Sequence, residues 1–126
     1  MKAGTVAAAV LGVLTSGGAV ASTDGNELLS YCKQAIRVVE TRHADRASSD
    51  IEIGQCFGIM EGVRSTMVLM DQGPKAGRVA CWPENGITNG QAARIVVRYL
   101  DNHPAKLNED RVLLSILAFS DAYPCK

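Results

Sequence analysis

The sequence predicts an all-α protein: a small four-helix domain, built as two helical hairpins and stapled by two disulfides, after an N-terminal signal peptide. Three observations lead there. Apolar residues recur every three or four positions along four separate stretches, and no segment alternates in the manner of a strand. Four cysteines, Cys32, Cys56, Cys81 and Cys125, are spread through the chain. Ahead of them all lies an apolar run, Ala3 to Ala21, with Lys2 as the only charge before Asp24.

That run ends in Ala19-Val20-Ala21, the small-x-small pattern after which a signal peptidase cuts. Cleavage after Ala21 is expected, dividing the chain into a leader at 1–21 and a domain at 22–126. Gly4, Gly12, Gly17 and Gly18, with Thr15 and Ser16, make the run a poor spanning helix, so no membrane anchorage is expected after cleavage. Loss of Lys2 leaves 12 basic against 13 acidic residues. A nucleic-acid binder needs a basic face, and this balance offers none.

A domain of this size buries only a modest core and is marginal without cross-links. An even number of cysteines in an exported chain reads as a disulfide framework. Structural zinc sites usually include a Cys-x-x-Cys pair, and the spacings of 24, 25 and 44 residues contain none, so no metal is expected.

The first helix begins at Asp24, where Glu27 completes a capping box. Leu28, Cys32, Ala35 and Val39 form its apolar face, with Leu29 and Ile36 beside them. Thr41 to Asp50 is polar and aperiodic, a connecting loop. The second helix starts near Ser49 or Asp50, and Ile53, Cys56 or Phe57, Met60, Val63, Met67 and Met70 line one face. Gly54, Gly58 and Gly62 fall four apart on it, each costing a helix about 1 kcal/mol against alanine. Close packing against a neighbouring helix of the same molecule is the first explanation, a dimer seam the second. Asp71 to Gly86 is an irregular segment rich in turn pairs: Gly73-Pro74, Trp82-Pro83 and Asn85-Gly86.

The third helix opens at Thr88, with Gln91 completing a capping box, and buries Ala92, Ile95, Val96, Tyr99 and Leu100. It ends at Asn102-His103-Pro104, because proline disfavours helix at the residue before it. Asn108 caps the fourth helix, with Leu107 stapled to Val112. Its apolar face is Val112, Leu113, Ile116, Leu117 and Ala118 or Phe119, until Pro124 stops it.

Antiparallel hairpins bring together residues equidistant from their turn. Cys32 and Cys56 are each 12 residues from position 44, and Cys81 and Cys125 each 22 from position 103. The symmetry favours Cys32–Cys56 and Cys81–Cys125 over the other two connectivities.

No catalytic constellation assembles, and no cofactor is expected. His43 lies in a polar loop and His103 in a turn, where it bonds helix-end carbonyls. Glu61 lacks a partner carboxylate, and oxidised cysteines are not nucleophiles. There is no phosphate-cradling glycine loop, no HExxH and no nucleophile elbow. Arg94 and Arg98, one turn apart, read as a solvated face. An enzyme is therefore the least favoured reading. For contact with a protein partner the candidates are Gln72, Lys75, Arg78 and Trp82 in the irregular segment. Trp82 serves equally well as an interface anchor or as a cap on the helix pack.

Five motifs, in order and at these spacings, resemble a known family. They are Leu28-Leu29-x-x-Cys32; Cys56-Phe57-Gly58-Ile59-x-x-Gly62-Val63; Cys81-Trp82-Pro83-x-x-Gly86-Ile87-Thr88-x-Gly90-Gln91; Tyr99-Leu100-x-x-His103-Pro104-x-x-Leu107; and Tyr123-Pro124-Cys125. Together they resemble the Rap/Tai immunity proteins over essentially the whole mature domain. The resemblance implies a periplasmic helical homodimer that inhibits a papain-like peptidoglycan amidase delivered by type VI secretion, blocking its active-site cleft. The matching positions are cysteines, glycines, caps and turn prolines, which identify a fold more than a target. The alternative function is a periplasmic stress chaperone similar to the HdeA type, or another protein-binding module.

Overall fold

A computed structural model describes residues 23–43 and 49–126. The expected leader at 1–21 lies outside the described residues, as does most of the first connecting loop. Four α-helices follow in order: α1 Gly25–Thr41, α2 Asp50–Met70, α3 Asn89–Asn102 and α4 Arg111–Ala122. Single turns of 3₁₀ helix at Lys75–Gly77 and Pro104–Lys106 sit in the two connections after α2 and α3. Among the described residues there is no strand, only a one-residue antiparallel bridge between Asp24 and Asp110.

Each helix starts where a polar side chain can accept from a free backbone N–H. Asp24 accepts from the Glu27 N–H at 3.1 Å, and Ser49 from that of Glu52. Thr88 and Gln91 form the full reciprocal box, at 3.1 and 2.8 Å. The expected box at α1 is only half present, because the Glu27 carboxylate accepts from the Tyr31 hydroxyl at 2.8 Å instead. The cap of α4 is Asp110, which accepts from the Val112 and Leu113 N–H groups, rather than Asn108. Asn108 is taken up by Asn26, part of a strap that also ties the Asn26 N–H to the Leu107 carbonyl and the Gly25 N–H to that of Glu109. Glycine suits position 25, since a Cβ there would press on Leu114 Cδ1 and lie 3.1 Å from the Leu107 carbonyl oxygen.

Helix α1 packs against both α2 and α3, and α3 against α4, closing one core around Leu28, Met60, Val96, Leu100, Leu114 and Phe119. Both expected disulfides are present. Cys32–Cys56 joins α1 to α2 in the centre, where both cysteines are wholly buried, and Cys81–Cys125 ties the irregular segment to the C-terminus.

Four packing expectations change. Val39, expected on the apolar face of α1, is exposed near the end of that helix. Val112 and Leu113 face outward; α4 buries Leu114, Ser115, Ala118 and Phe119. Moving the cap from Asn108 to Asp110 starts the helix later, and burying Ser115 is possible because its hydroxyl donates to the Arg111 carbonyl at 2.8 Å. Met70 is 76% exposed, because α2 outruns the core at its last turn. Finally, Gly54, Gly58 and Gly62 do not accommodate a neighbouring helix: nothing lies within 4 Å of a Cβ built at any of the three.

Candidate partner-binding surface

The four candidate contact residues fall on one short loop, and its shape follows from a single buried carboxylate. Asp71 caps the C-terminus of α2 and is itself buried. Its two oxygens accept from the Val79 N–H at 2.9 Å and the Ala80 N–H at 3.2 Å. Eight or nine residues of chain are thereby folded back onto the end of α2. A charged acceptor makes such hydrogen bonds about twice as strong as neutral ones. Ala80 is buried at the foot of the loop, and Cys81 follows directly into its disulfide.

Inside this clamp the loop bonds to itself. The Gly77 N–H donates to the Pro74 carbonyl and the Arg78 N–H to that of Lys75, giving the 3₁₀ turn. Gln72 Nε2 donates to the Val68 carbonyl at 2.7 Å, and Arg78 Nε to the Gly73 carbonyl at 2.8 Å. Arg78 is thus half-buried as a brace of the turn, while Lys75 and the rest of 72–77 are exposed. The result is a compact loop held by its own hydrogen bonds, with Lys75 exposed on it. Val68, Leu69, Met70 and Val79 surround its base as exposed apolar side chains.

Trp82 lies outside this loop, beyond the Asp71 clamp. Its ring is packed 5.3 Å from Phe119 and 5.5 Å from Tyr123, capping the helix pack, and its indole N–H is buried without an acceptor among the described residues. Trp82 therefore caps the helix pack while one side of it stays accessible. Arg64, which the sequence did not single out, connects α2 to the segment before α3. It donates to the Ile87 carbonyl and pairs with Glu61. The only signal for it in the sequence is the three-residue spacing of the ion pair.

The groups weighed for catalysis lie apart. His43 is exposed, with Nδ1 at 2.9 Å from the Thr41 carbonyl, and Glu61 is exposed on α2. His103 stacks on Tyr99 with Nδ1 at 2.7 Å from its carbonyl, the helix-end bond expected of it. Arg94 meets Glu40 at 3.3 Å on the solvated faces of α3 and α1. Among the described residues no three His, Cys, Asp or Glu side chains gather as a metal site would require, and no helix is long and apolar enough to cross a membrane. The pKa of Tyr31 is raised by its hydrogen bond to Glu27, then by burial and by the Glu27 charge.

The chain is thus a small helical domain with two disulfides and a surface loop clamped by a buried carboxylate. The model of the Rap1a immunity proteins matches residues 24–125, and the chain belongs to that family. No curated protein and no solved structure matches it. Family membership makes it an immunity protein against a secreted effector, and so a binder of another protein.

Proposed function

We propose that this chain acts in the periplasm as the inhibitor of a peptidoglycan amidase delivered by type VI secretion, covering the enzyme's active-site cleft and performing no chemistry itself. The clamped 71–80 loop is the observation that carries this reading. A substrate cleft is concave, and what fills it best is a narrow convex element whose shape is set before binding. The Asp71 clamp and the internal bonds of 72–78 supply that order in advance, lowering the entropy lost on association. Exposed Lys75 offers a charge for steering, and Val68, Leu69 and Val79 offer an apolar collar around it. Export to an oxidising compartment agrees with two disulfides and no free cysteine.

The test is inhibition of purified type VI amidases from the source organism and its relatives, assayed on peptidoglycan with the full chain in oxidised form. One amidase silenced at stoichiometric amounts, with Lys75→Glu weakening the inhibition at least tenfold, about 1.4 kcal/mol, is the expected result. All amidases running unhindered at excess inhibitor would overturn the proposal. The exposed pair Leu69 and Met70 is what favours the chaperone reading. That role predicts weak capture of many unfolded proteins, strengthening in acid, in place of one tight partner.

A further inference from the structure

The two disulfides differ in their access to water. Cys32 and Cys56 are wholly inaccessible, set within α1 and α2 in the core cluster that holds Leu28, Met60 and Val96. Cys81 and Cys125 are each partly exposed, and neither lies in a helix. Pro124 and Lys126, on either side of Cys125, are exposed. Cys81 stands between buried Ala80 and the partly covered Trp82. Thiol–disulfide exchange requires a thiolate to approach one sulfur of the bridge, so access governs which bridge exchanges. A thiolate reaches the edge bridge from solvent, on the Cys125 side. It reaches the central bridge only when α1 parts from α2, an opening that costs close to the whole stability of the domain.

Breaking the edge bridge leaves its surroundings standing. The Cys81 N–H donates to the Tyr123 carbonyl at 2.8 Å, and the Tyr123 N–H to the Phe119 carbonyl at 2.9 Å. Trp82 packs on Phe119 and Tyr123, and Asp71 holds the Val79 and Ala80 N–H groups just ahead of Cys81. None of these contacts uses a sulfur. The two thiols therefore stay near each other after reduction, and the bridge can close again. What goes is the covalent tie between the 72–80 loop and the segment after α4.

We propose that Cys81–Cys125 is a site of thiol–disulfide exchange with a dithiol, opened and closed in the folded protein while Cys32–Cys56 stays oxidised. A thiolate of the dithiol attacks the Cys125 sulfur, forming a mixed disulfide. The bond between the two cysteine sulfurs breaks, and Cys81 leaves as a thiolate that takes up a proton. The second thiol of the dithiol, once deprotonated, attacks the mixed disulfide and releases Cys125, which is protonated in turn. The bridge has then gained two electrons and two protons, and the dithiol has lost them in becoming its own disulfide. The same chemistry is available to a small dithiol and to the Cys-x-x-Cys centre of an oxidoreductase. The order of the 72–80 loop thus follows the redox state around the protein. Any consequence for inhibition rests on the amidase reading; the exchange itself does not.

The experiment uses the full oxidised chain with no effector present. It is incubated at neutral pH with dithiothreitol or, separately, with reduced thioredoxin, blocked at intervals with iodoacetamide and read by peptide mass spectrometry. Cys81 and Cys125 are expected to be alkylated together, at least about tenfold faster than Cys32 and Cys56, with helical circular dichroism unchanged. Trp82, the single tryptophan and the neighbour of Cys81, should change its emission in the same phase, and amide exchange should quicken through 72–81. Oxidised glutathione should then restore the starting emission. Opening by both reductants assigns the site to an oxidoreductase, and opening by dithiothreitol alone to small dithiols. Alkylation of all four cysteines at one rate, loss of helix along with the edge bridge, or an edge bridge that resists both reductants until the domain unfolds would each overturn the proposal.

Discussion

The two disulfides do different work, and the contrast divides the molecule into a half that holds the fold and a half that presents a surface. Cys32–Cys56 lies at the centre, both cysteines inaccessible, welding two helices that already pack against each other. Cys81–Cys125 lies at the edge, half-buried, and joins two segments without regular structure; the Cys81 N–H bonds the Tyr123 carbonyl beside it at 2.8 Å. The chain-entropy model ranks the edge bridge slightly higher, at about 4 against about 3.5 kcal/mol, because it closes the longer loop. Burial ranks them the other way, since two thiols or serines at the centre must repack the core. Entropy is lost everywhere in the unfolded chain, but packing is lost only where atoms are dense. The central bridge therefore governs whether the protein folds, and the edge bridge governs how well the 72–80 loop is shaped.

The largest expected effect is from Cys32→Ser with Cys56→Ser, which removes the cross-link and places hydroxyls among Leu28, Met60 and Val96. A loss of about 5 kcal/mol, read by chemical denaturation, is enough to unfold the domain at 37 °C. Next is Cys81→Ser with Cys125→Ser, at about 3 kcal/mol. Its mark is regional: amide exchange should accelerate through 72–81 and 120–125 while the α1–α2 amides stay protected. If both pairs lowered protection uniformly, the division between halves would be wrong. Third, Asp71→Ala removes the carboxylate that folds the loop back. A loss of about 2 kcal/mol is expected, with faster exchange at Val79 and Ala80.

A smaller test sets two glycines against each other. Gly25→Ala drives a methyl into Leu114 and the Leu107 backbone, costing about 1–3 kcal/mol. Gly58→Ala meets nothing and should raise the stability of a single copy by up to about 1 kcal/mol. The smallest effect is in alkali. The folded pKa of Tyr31 is raised above its unfolded value, so its contribution is intact below pH 10 and lost as pH climbs through the folded value. Tyr31→Phe should remove that part of the alkaline decline in melting temperature and change little at neutral pH.

Much of this was legible along the chain. The helix starts at Asp24, Ser49 and Thr88 were readable because capping is local: a side chain answers a backbone N–H two or three residues away. The cysteine pairing followed from hairpin symmetry. The cap of α4 was misplaced because Asn108 and Asp110 are equally good local caps. The choice between them is made by α1, whose Asn26 engages Asn108 from across the fold. Met70, Val112 and Leu113 were assigned to the core for a related reason. A periodic pattern tells which residues share a face, but not where the neighbouring helix ends. The candidate loop was legible as a segment and in part as residues. Lys75 and Gln72 lie on it as expected, Arg78 braces it, and Trp82 was placeable only once Phe119 and Tyr123 were beside it.

By itself the sequence determined the four helices, the capped starts of the first three, the disulfide connectivity and the family, because each depends on local spacing or on the order of motifs. Only the tertiary structure decided that the glycine face of α2 is open, that Asp71 clamps the loop and that Trp82 packs on Phe119 and Tyr123. Each of those depends on which distant atoms occupy the space beside a residue, and no one-dimensional pattern carries that information.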